Sequence, residues 1–323
     1  MKKVLAVILA FCLLLTCTAC GESGTEKMKI GVVQLVKHDA LDAAYKGFVD
    51  GLAEAGYSTE KGNIEFDYQV ATGKPDECAT IANQLVSGGS DLILAIATPA
   101  AQAAVNVTST IPILVTAVTN PDGDCPGENV SGTSDLGPIE RQIQFAKEIC
   151  PNLKTIGILY NSSEQNSKFQ AELAIKAAEK MGIAYQPFTV TAATELQTVV
   201  ESMKNKVEAC WIPTDNTCAS NMPVISDAAK SANVLTICGE SGMVKTGGLA
   251  TCGAVDYYEL GKQTAKMAVK ILSGEKKVSE LPIEFQSAGE DAEIVINTDV
   301  AAYYNIPQSV LDKATKITTQ VEE

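Results

Sequence analysis

The chain has 323 residues, a formal net charge of −14 and a single His; 20% of its residues are charged and 46% are apolar. These values are ordinary for a folded globular protein, and they exclude wholesale disorder, a collagen-like chain and a polytopic membrane protein. The acidic balance also argues against nucleic acid as a partner, because phosphate binding needs clustered Lys and Arg.

The N-terminus has the pattern of an export signal. Lys2 and Lys3 precede an apolar run over 4–15, which has the length of a signal-peptide core and is short for a membrane span. Small residues before Cys20 resemble the lipobox of bacterial lipoproteins, in which the Cys is lipidated and becomes the mature N-terminus. We expect a signal peptide over 1–19, a lipid on Cys20 and a tether over 20–27. An ordinary secretory signal is the alternative. Either way the protein is exported, and with the lipid it is anchored outside the cytoplasm.

From Met28 onward, β-branched segments alternate with amphipathic helices. The first half predicts a helix that Asp39 caps and Gly56 ends. A crossing segment over 120–138 follows. The predicted strands are 29–35, 64–69, 91–97, 112–118, 155–160, 184–190, 208–213 and 234–238, with two more near 282–286 and 293–297. The other predicted helices are 76–86, 99–108, 139–149, 166–181, 194–204, 222–232 and 257–272. This alternation predicts an α/β fold of two lobes, each a doubly wound parallel sheet.

In such sheets ligands bind beyond the carboxyl ends of the strands, so the loops there hold the candidate site residues. Thr98, with the amides of Ala100 and Ala101, could bind a carboxylate at a helix N-terminus. Asp215, if buried, could bind an ammonium group, since a buried charge needs a partner. Turn formation or helix capping is the alternative in each loop. The remaining candidates are Gln34, His38, Asn120, Ser134, Asp135, Tyr160, Asn161, Glu164, Ser167, Asn216 and Glu240.

Signatures of enzymes and of metal sites are missing from the sequence. There is no G-x-S-x-G, P-loop, H-E-x-x-H or G-x-G-x-x-G. Seven cysteines follow Cys20, and their spacings match no metal site. We therefore expect a binding protein without a metal or cofactor, and no catalytic residues.

Six segments resemble one family: GVVQLVKHDALDAAYKGFVDGL, AIATPAAQAA, AVTNP, LYNSSEQNS, IPTDNT and VDYYELGKQTAKMAVKILSGE. The chain is similar to the substrate-binding lipoproteins of ABC transporters of the tryptophan or aromatic-amino-acid type. The resemblance implies the type I periplasmic-binding-protein fold, with a three-segment hinge. It implies an N-terminal lobe of 28–136 plus 255–283 and a C-terminal lobe of 137–254 plus 284–323. It also supports nine of the candidates as ligand contacts: Gln34, His38, Thr98, Ala100, Asn161, Glu164, Ser167, Asp215 and Asn216.

By this resemblance the protein is a monomeric receptor that delivers an amino acid to an ABC permease and its ATPase. Thr98 would hold the ligand's carboxylate, and Asp215 its ammonium, with Glu164 as a second acceptor. The sequence departs from the family at Lys37-His38-Asp39, where Glu-His-Pro is common, and at Thr119-Asn120-Pro121, where Thr-Asp-Pro is common. A sugar or nucleoside receptor of the same fold and a ligand-sensing lobe of a signalling system remain alternatives.

Overall fold

Two β-sheets organise the residues that the computed structural model describes, 27–286 and 292–320. The predicted signal peptide, Cys20 and residues 20–26 of the tether lie outside them. The strands are β1 (Met28–Gln34), β2 (Ile64–Val70), β3 (Leu92–Ile96), β4 (Ile113–Val118), β5 (Val130–Ser134), β6 (Thr155–Asn161), β7 (Ala184–Val190), β8 (Ala209–Ile212), β9 (Leu235–Cys238), β10 (Ala250–Cys252), β11 (Glu284–Phe285), β12 (Ile294–Asn297) and β13 (Thr315–Ile317).

Helices cover the faces of both sheets. They are α1 (Asp39–Glu54), α2 (Pro75–Ser87), α3 (Thr98–Val107), α4 (Pro121–Asp124), α5 (Ile139–Ile149), α6 (Gln165–Lys180), α7 (Leu196–Glu201), α8 (Asn216–Ala219), α9 (Met222–Ala232), α10 (Ser241–Lys245), α11 (Tyr257–Leu272), α12 (Thr298–Ala301) and α13 (Gln308–Leu311). Short 3₁₀ turns lie at Ala193–Glu195 and Val278–Glu280. Among the described residues, no helix combines the length and the apolar character that a membrane span needs.

Each sheet is the centre of one lobe. The sheet of the first lobe has the order β11-β5-β4-β3-β1-β2, and that of the second lobe has the order β13-β12-β10-β9-β8-β6-β7. Strand pairing is parallel, except between β10 and β12. The chain passes between the lobes after β5, β10 and β11. The predicted fold class of two parallel-sheet α/β lobes is confirmed.

The cores follow from the apolar runs that predicted the strands. β3 is buried along its whole length and separates α-helical layers on both faces, as its continuous apolar run requires. In the second lobe Trp211 of β8 is fully buried, and its indole Nε1 donates to Oε1 of Gln142 at 2.9 Å. This hydrogen bond satisfies the one polar group of a large core side chain.

Four expectations need correction. The predicted crossing segment over 120–138 contains α4 and β5, because the small and hydroxyl-bearing residues of β5 pack closely on β4. At Gly132 (φ +146°) a Cβ atom would lie 2.0 Å from the carbonyl oxygen of Val115. Glu284 and Phe285 pair with β5, so the predicted lobe boundary at 283 falls two residues too early. The helix predicted over 194–204 ends at Glu201. Finally, α1 begins at Asp39, with His38 at the N-cap and no side-chain cap.

Candidate functional site

The carboxyl ends of strands from both sheets meet in a cleft between the lobes. Five predicted residues line it: His38, Asp135, Asp215, Asn216 and Glu240. The space left between them is about 10 Å³, enough for roughly one water molecule. These five predicted residues come from four separate segments of the chain, and the fold brings them together.

Two hydrogen bonds hold the lobes together across this cleft. His38 Nε2 of the first lobe lies 3.3 Å from Asn216 Oδ1 of the second. Gln170 Nε2 on α6 donates to Thr119 Oγ1 at 3.0 Å, and also to Thr214 Oγ1 at 2.6 Å. Burial lowers the pKa of His38 below 6.5, although the bond to Asn216 and nearby carboxylates oppose the shift. The lobes thus face each other in a closed arrangement.

Three buried carboxyl groups dominate the chemistry of the cleft. Asp215 is fully buried and accepts the N–H groups of Asn161 (2.6 Å) and Cys218 (2.8 Å). Glu240, 2% exposed, accepts those of Gly242 (2.5 Å) and Met243 (2.7 Å). Both cap short helices.

Asp135 lies on the opposite wall and has two hydroxyl partners. Its oxygens accept the hydroxyls of Thr119 (2.9 Å) and Tyr257 (2.7 Å). Burial raises the pKa of all three carboxyl groups, to about 7 for Glu240; the negative charge of Glu164 adds to the shift at Asp215. No Lys or Arg is among the described residues that line the cleft, so the site favours a cationic group.

The first lobe has two residues with strained backbone conformations near the cleft. Ala97 and Ala117, near the ends of β3 and β4, have φ angles of +81° and +55°. Such conformations cost about 1–3 kcal/mol in a non-glycine residue and cluster at binding sites. The Ala97 N–H donates to the Thr116 carbonyl (3.1 Å). Ala117 lines the cleft, whereas Thr98, the residue after Ala97, is not among the lining residues in this arrangement.

Thr98 begins α3 and is almost completely buried. Its Oγ1 has no hydrogen-bond partner within 27–286 and 292–320. The prediction for Ala101 is wrong, because its N–H donates to the Ala97 carbonyl at 3.0 Å and is not available to an anion. The expected N-cap role of Thr98 is also wrong, since Ala97 occupies that position.

Other predicted residues do not line the cleft in this conformation, and some of them hydrogen-bond to neighbouring segments instead. Gln34 bonds Val36, Asp42 and Tyr68 inside the first lobe. Glu164 accepts four hydrogen bonds from Asn216 and Thr217, so its oxygens are occupied. The remaining residues of this group are Ala100, Asn120, Ser134, Tyr160, Asn161 and Ser167.

Sequence reasoning missed three polar residues that line the cleft: Asn166, Thr214 and Tyr257. Asn166 is 3% exposed, and its Nδ2 donates to the Thr214 carbonyl (3.0 Å). Its Oδ1 has no partner among the described residues. Asn166, in the first turn of α6, and Thr214, after β8, are next to the predicted residues Ser167 and Asp215. The local sequence does not distinguish Tyr257 from its neighbour Tyr258, whose hydroxyl donates to Asp50 instead.

Comparison with known proteins gives a consistent result. Residues 29–318 match the family model described as ABC transporter substrate binding protein. A tyrosine-binding protein of Clostridioides difficile (strain R20291) is 36% identical over 319 residues, which cover 92% of this chain and 91% of that protein.

Two solved structures are similar at almost equal identity. An ABC domain from Streptococcus pneumonia in complex with L-Trp is 39% identical (TM-score 0.83; 90% of this chain, 99% of the other). A ligand-free, open substrate-binding protein with adhesive properties from Clostridium difficile is 38% identical (TM-score 0.68; 91% and 100%). The whole chain is therefore more similar in structure to the L-Trp complex than to the ligand-free, open protein. The chain belongs to the family of ABC transporter substrate-binding proteins, as its sequence motifs predicted.

Proposed function

We propose that the protein is the extracytoplasmic receptor of an ABC importer and binds an aromatic amino acid between its two lobes. The observation that carries this proposal is the cleft's three buried carboxyl groups, Asp135, Asp215 and Glu240, without a Lys or Arg among the described lining residues. Buried carboxylates need a cationic partner. The α-ammonium group of an amino acid supplies one, and Asn166 Oδ1 adds an acceptor that has no partner among the described residues.

The ligand's carboxylate would bind on the first lobe. Thr98 offers a buried hydroxyl without a partner among the described residues, at the N-terminus of the ten-residue helix α3. A helix N-terminus favours negative charge through its dipole and its free N–H groups. A ligand held by Thr98 on one lobe and by Asp215 on the other would stabilise the closed arrangement, since only that arrangement provides both contacts.

The aromatic side chain is proposed from the relatives. One is named a tyrosine-binding protein and another is a complex with L-Trp, at 36% and 39% identity over most of the chain. Of the segments that carry the resemblance, AIATPAAQAA spans the end of β3 and the start of α3, and IPTDNT contains Thr214, Asp215 and Asn216 of the cleft lining.

Export, anchoring and partners complete the proposal. The mature protein begins at Cys20, whose lipid attaches it to the outer side of the cell membrane, and it acts as a monomer that docks on a permease and its ATPase. The N-terminal lobe comprises about 28–136 and 255–285, and the C-terminal lobe the rest. Mass spectrometry of the N-terminal peptide tests the anchor, and an unmodified peptide starting elsewhere would refute it.

A ligand panel tests the binding proposal directly. Thermal unfolding of the purified protein, refolded to remove co-purified ligand, would be measured with L-Tyr, L-Trp, L-Phe, sugars and nucleosides. A ligand at 100 times its dissociation constant adds about 2.7 kcal/mol of stability. We expect this effect from aromatic amino acids, and not from tyramine or 3-(4-hydroxyphenyl)propanoate, which lack the carboxylate and the ammonium respectively. A response to sugars or nucleosides alone would refute the proposal.

The same assay with variants tests the ammonium contact. Asp215→Asn keeps a helix-capping oxygen but removes the charge, and we expect it to weaken amino-acid binding about tenfold or more. Asp122→Asn, at an exposed position of α4, is the matched control and should bind like the wild type. Equal affinity in both variants would remove Asp215 from the site.

A further inference from the structure

A second cavity opens beside the cleft and shares a wall with it. This side cavity has a volume of about 340 Å³, against about 10 Å³ for the cleft itself. Four residues line both spaces: His38, Ala40, Ala219 and Glu240. Ligand pockets generally have volumes of about 300–1,000 Å³. The cleft in this arrangement holds about one water molecule, whereas the side cavity has the volume of a large side chain. Another cavity, of about 610 Å³, shares Ala40, Glu240 and Tyr257 with the cleft, so volume alone does not select the side cavity.

The side cavity exists because the lobes are closed. Residues 37–40 of the first lobe form one wall, and α8, α9, α10 and the C-terminal segment of the second lobe form the others. Its surface is mixed. Ala40, Ala219 and Pro223 contribute apolar surface near the shared wall, and the charged groups include Asp227, which is largely exposed. A ring could pack against the apolar part, with its head group directed to the shared wall, which includes Glu240.

One polar group inside this cavity lacks a partner. Ser226 of α9 is 3% exposed, and its Oγ makes no hydrogen bond within the described residues. A serine inside a helix usually bonds a carbonyl one turn back. Ser231 of the same helix does so, donating to the Asp227 carbonyl at 2.9 Å. The hydroxyl of Ser226 is thus buried at a cost of about 1–3 kcal/mol unless a ligand pairs with it.

The backbone of Gly247 lies close to Ser226, whose Oγ is itself buried. Gly247, with φ +129°, faces it, and a Cβ atom there would lie 3.3 Å from Ser226 Oγ. A side chain at position 247 would therefore crowd the hydroxyl.

We propose that the side cavity receives the side chain of the bound amino acid, and that Ser226 Oγ hydrogen-bonds a polar group on its ring. This inference rests on the proposed function and narrows it: the preferred ligand carries a ring with a hydrogen-bond donor, such as a phenol hydroxyl or an indole N–H. Ser226 would then determine specificity, since L-Phe would leave its buried hydroxyl unpaired.

Isothermal titration calorimetry with L-Tyr and L-Phe tests the proposal. The wild type should bind L-Tyr more tightly. Ser226→Ala should weaken L-Tyr binding about tenfold and leave L-Phe within about twofold, because only the hydroxyl contact is lost. Ser231→Ala, in the same helix but outside the cavity lining, should change neither affinity. Thermal unfolding of each variant confirms that it is folded.

A second variant tests the location of the side chain. Ala219→Leu narrows the shared wall, and we expect it to weaken both ligands about tenfold or more. The inference is overturned if Ser226→Ala preserves the ratio of the two affinities, or if Ala219→Leu binds both ligands like the wild type. If the wild type binds no aromatic amino acid, the proposed function is wrong and this inference is wrong with it. If the wild type binds them but the variants behave as just described, only this inference is wrong.

Discussion

At the scale of one residue, Glu240 shows how a buried carboxyl group in the cleft lowers the stability of the folded protein. Burial raises the pKa of this carboxyl group from 4.5 to about 7. Between these values the folded protein keeps a proton that the unfolded chain releases. The free energy of unfolding therefore falls as the pH rises through this range, by about 3 kcal/mol in total for this group. A cationic ligand would offset the same penalty.

Urea unfolding of the ligand-free protein at pH 4.5 and pH 7.5 measures this cost. Glu240→Gln carries no charge at either pH, so it should be about as stable as the wild type at pH 4.5 and clearly more stable at pH 7.5. Glu275→Gln, at an exposed position, should follow the wild type at both. Parallel pH profiles for the wild type and Glu240→Gln would contradict the argument.

At the scale of elements, close packing of α1 on α11 fixes the first lobe. A Cβ atom at Gly47 would lie 2.0 Å from the carbonyl oxygen of Tyr258, and one at Gly261 would lie 2.0 Å from that of Ala44. Backbone atoms cannot move aside as the end of a flexible side chain can. The helices therefore approach so closely because glycine stands at their contact.

The variant Gly47→Ala tests this contact, because a Gly-to-Ala substitution in a helix normally increases stability. Alanine has the higher helix propensity by about 1 kcal/mol, but here we expect a net loss of about 1–3 kcal/mol in unfolding free energy from overpacking. Thr80→Ala, exposed in the middle of α2, should be slightly stabilising. Stabilisation by Gly47→Ala in urea unfolding would show that the helices can separate without cost.

At the scale of the whole molecule, ligand binding is coupled to closure of the two lobes. Gln170 of the second lobe contributes to this closure. Its amide bonds Thr119 of the first lobe and Thr214 of its own. Gln170→Leu keeps the side chain's size but removes the bond across the cleft, which should favour the open arrangement by about 1–3 kcal/mol.

Small-angle X-ray scattering measures this shift as a larger radius of gyration without ligand. Amino-acid affinity should also fall about tenfold, although Gln170 does not line the cleft, because closing becomes less favourable. Gln84→Leu, exposed on α2, should change neither quantity. An unchanged radius together with unchanged affinity would show that Gln170 has no part in closure.

Local sequence patterns predicted the α/β class, most strands and helices, and the strand ends near which the site lies. These features follow from local patterns: β3 reads as a continuous apolar run, and α11 shows a helical period that predicted its bounds over 257–272. β5 escaped prediction because its residues, Val-Ser-Gly-Thr-Ser, resemble a loop and become a strand only through pairing with β4.

Which of the candidate residues face the cleft depends on the folded chain as a whole. Asp215 and Glu240 line it, whereas the oxygens of Glu164 are occupied by Asn216 and Thr217 at the start of α8. Tyr257 reaches Asp135 from 122 positions away. The direction of a polar side chain depends on partners that are distant in sequence, and a local pattern does not contain them.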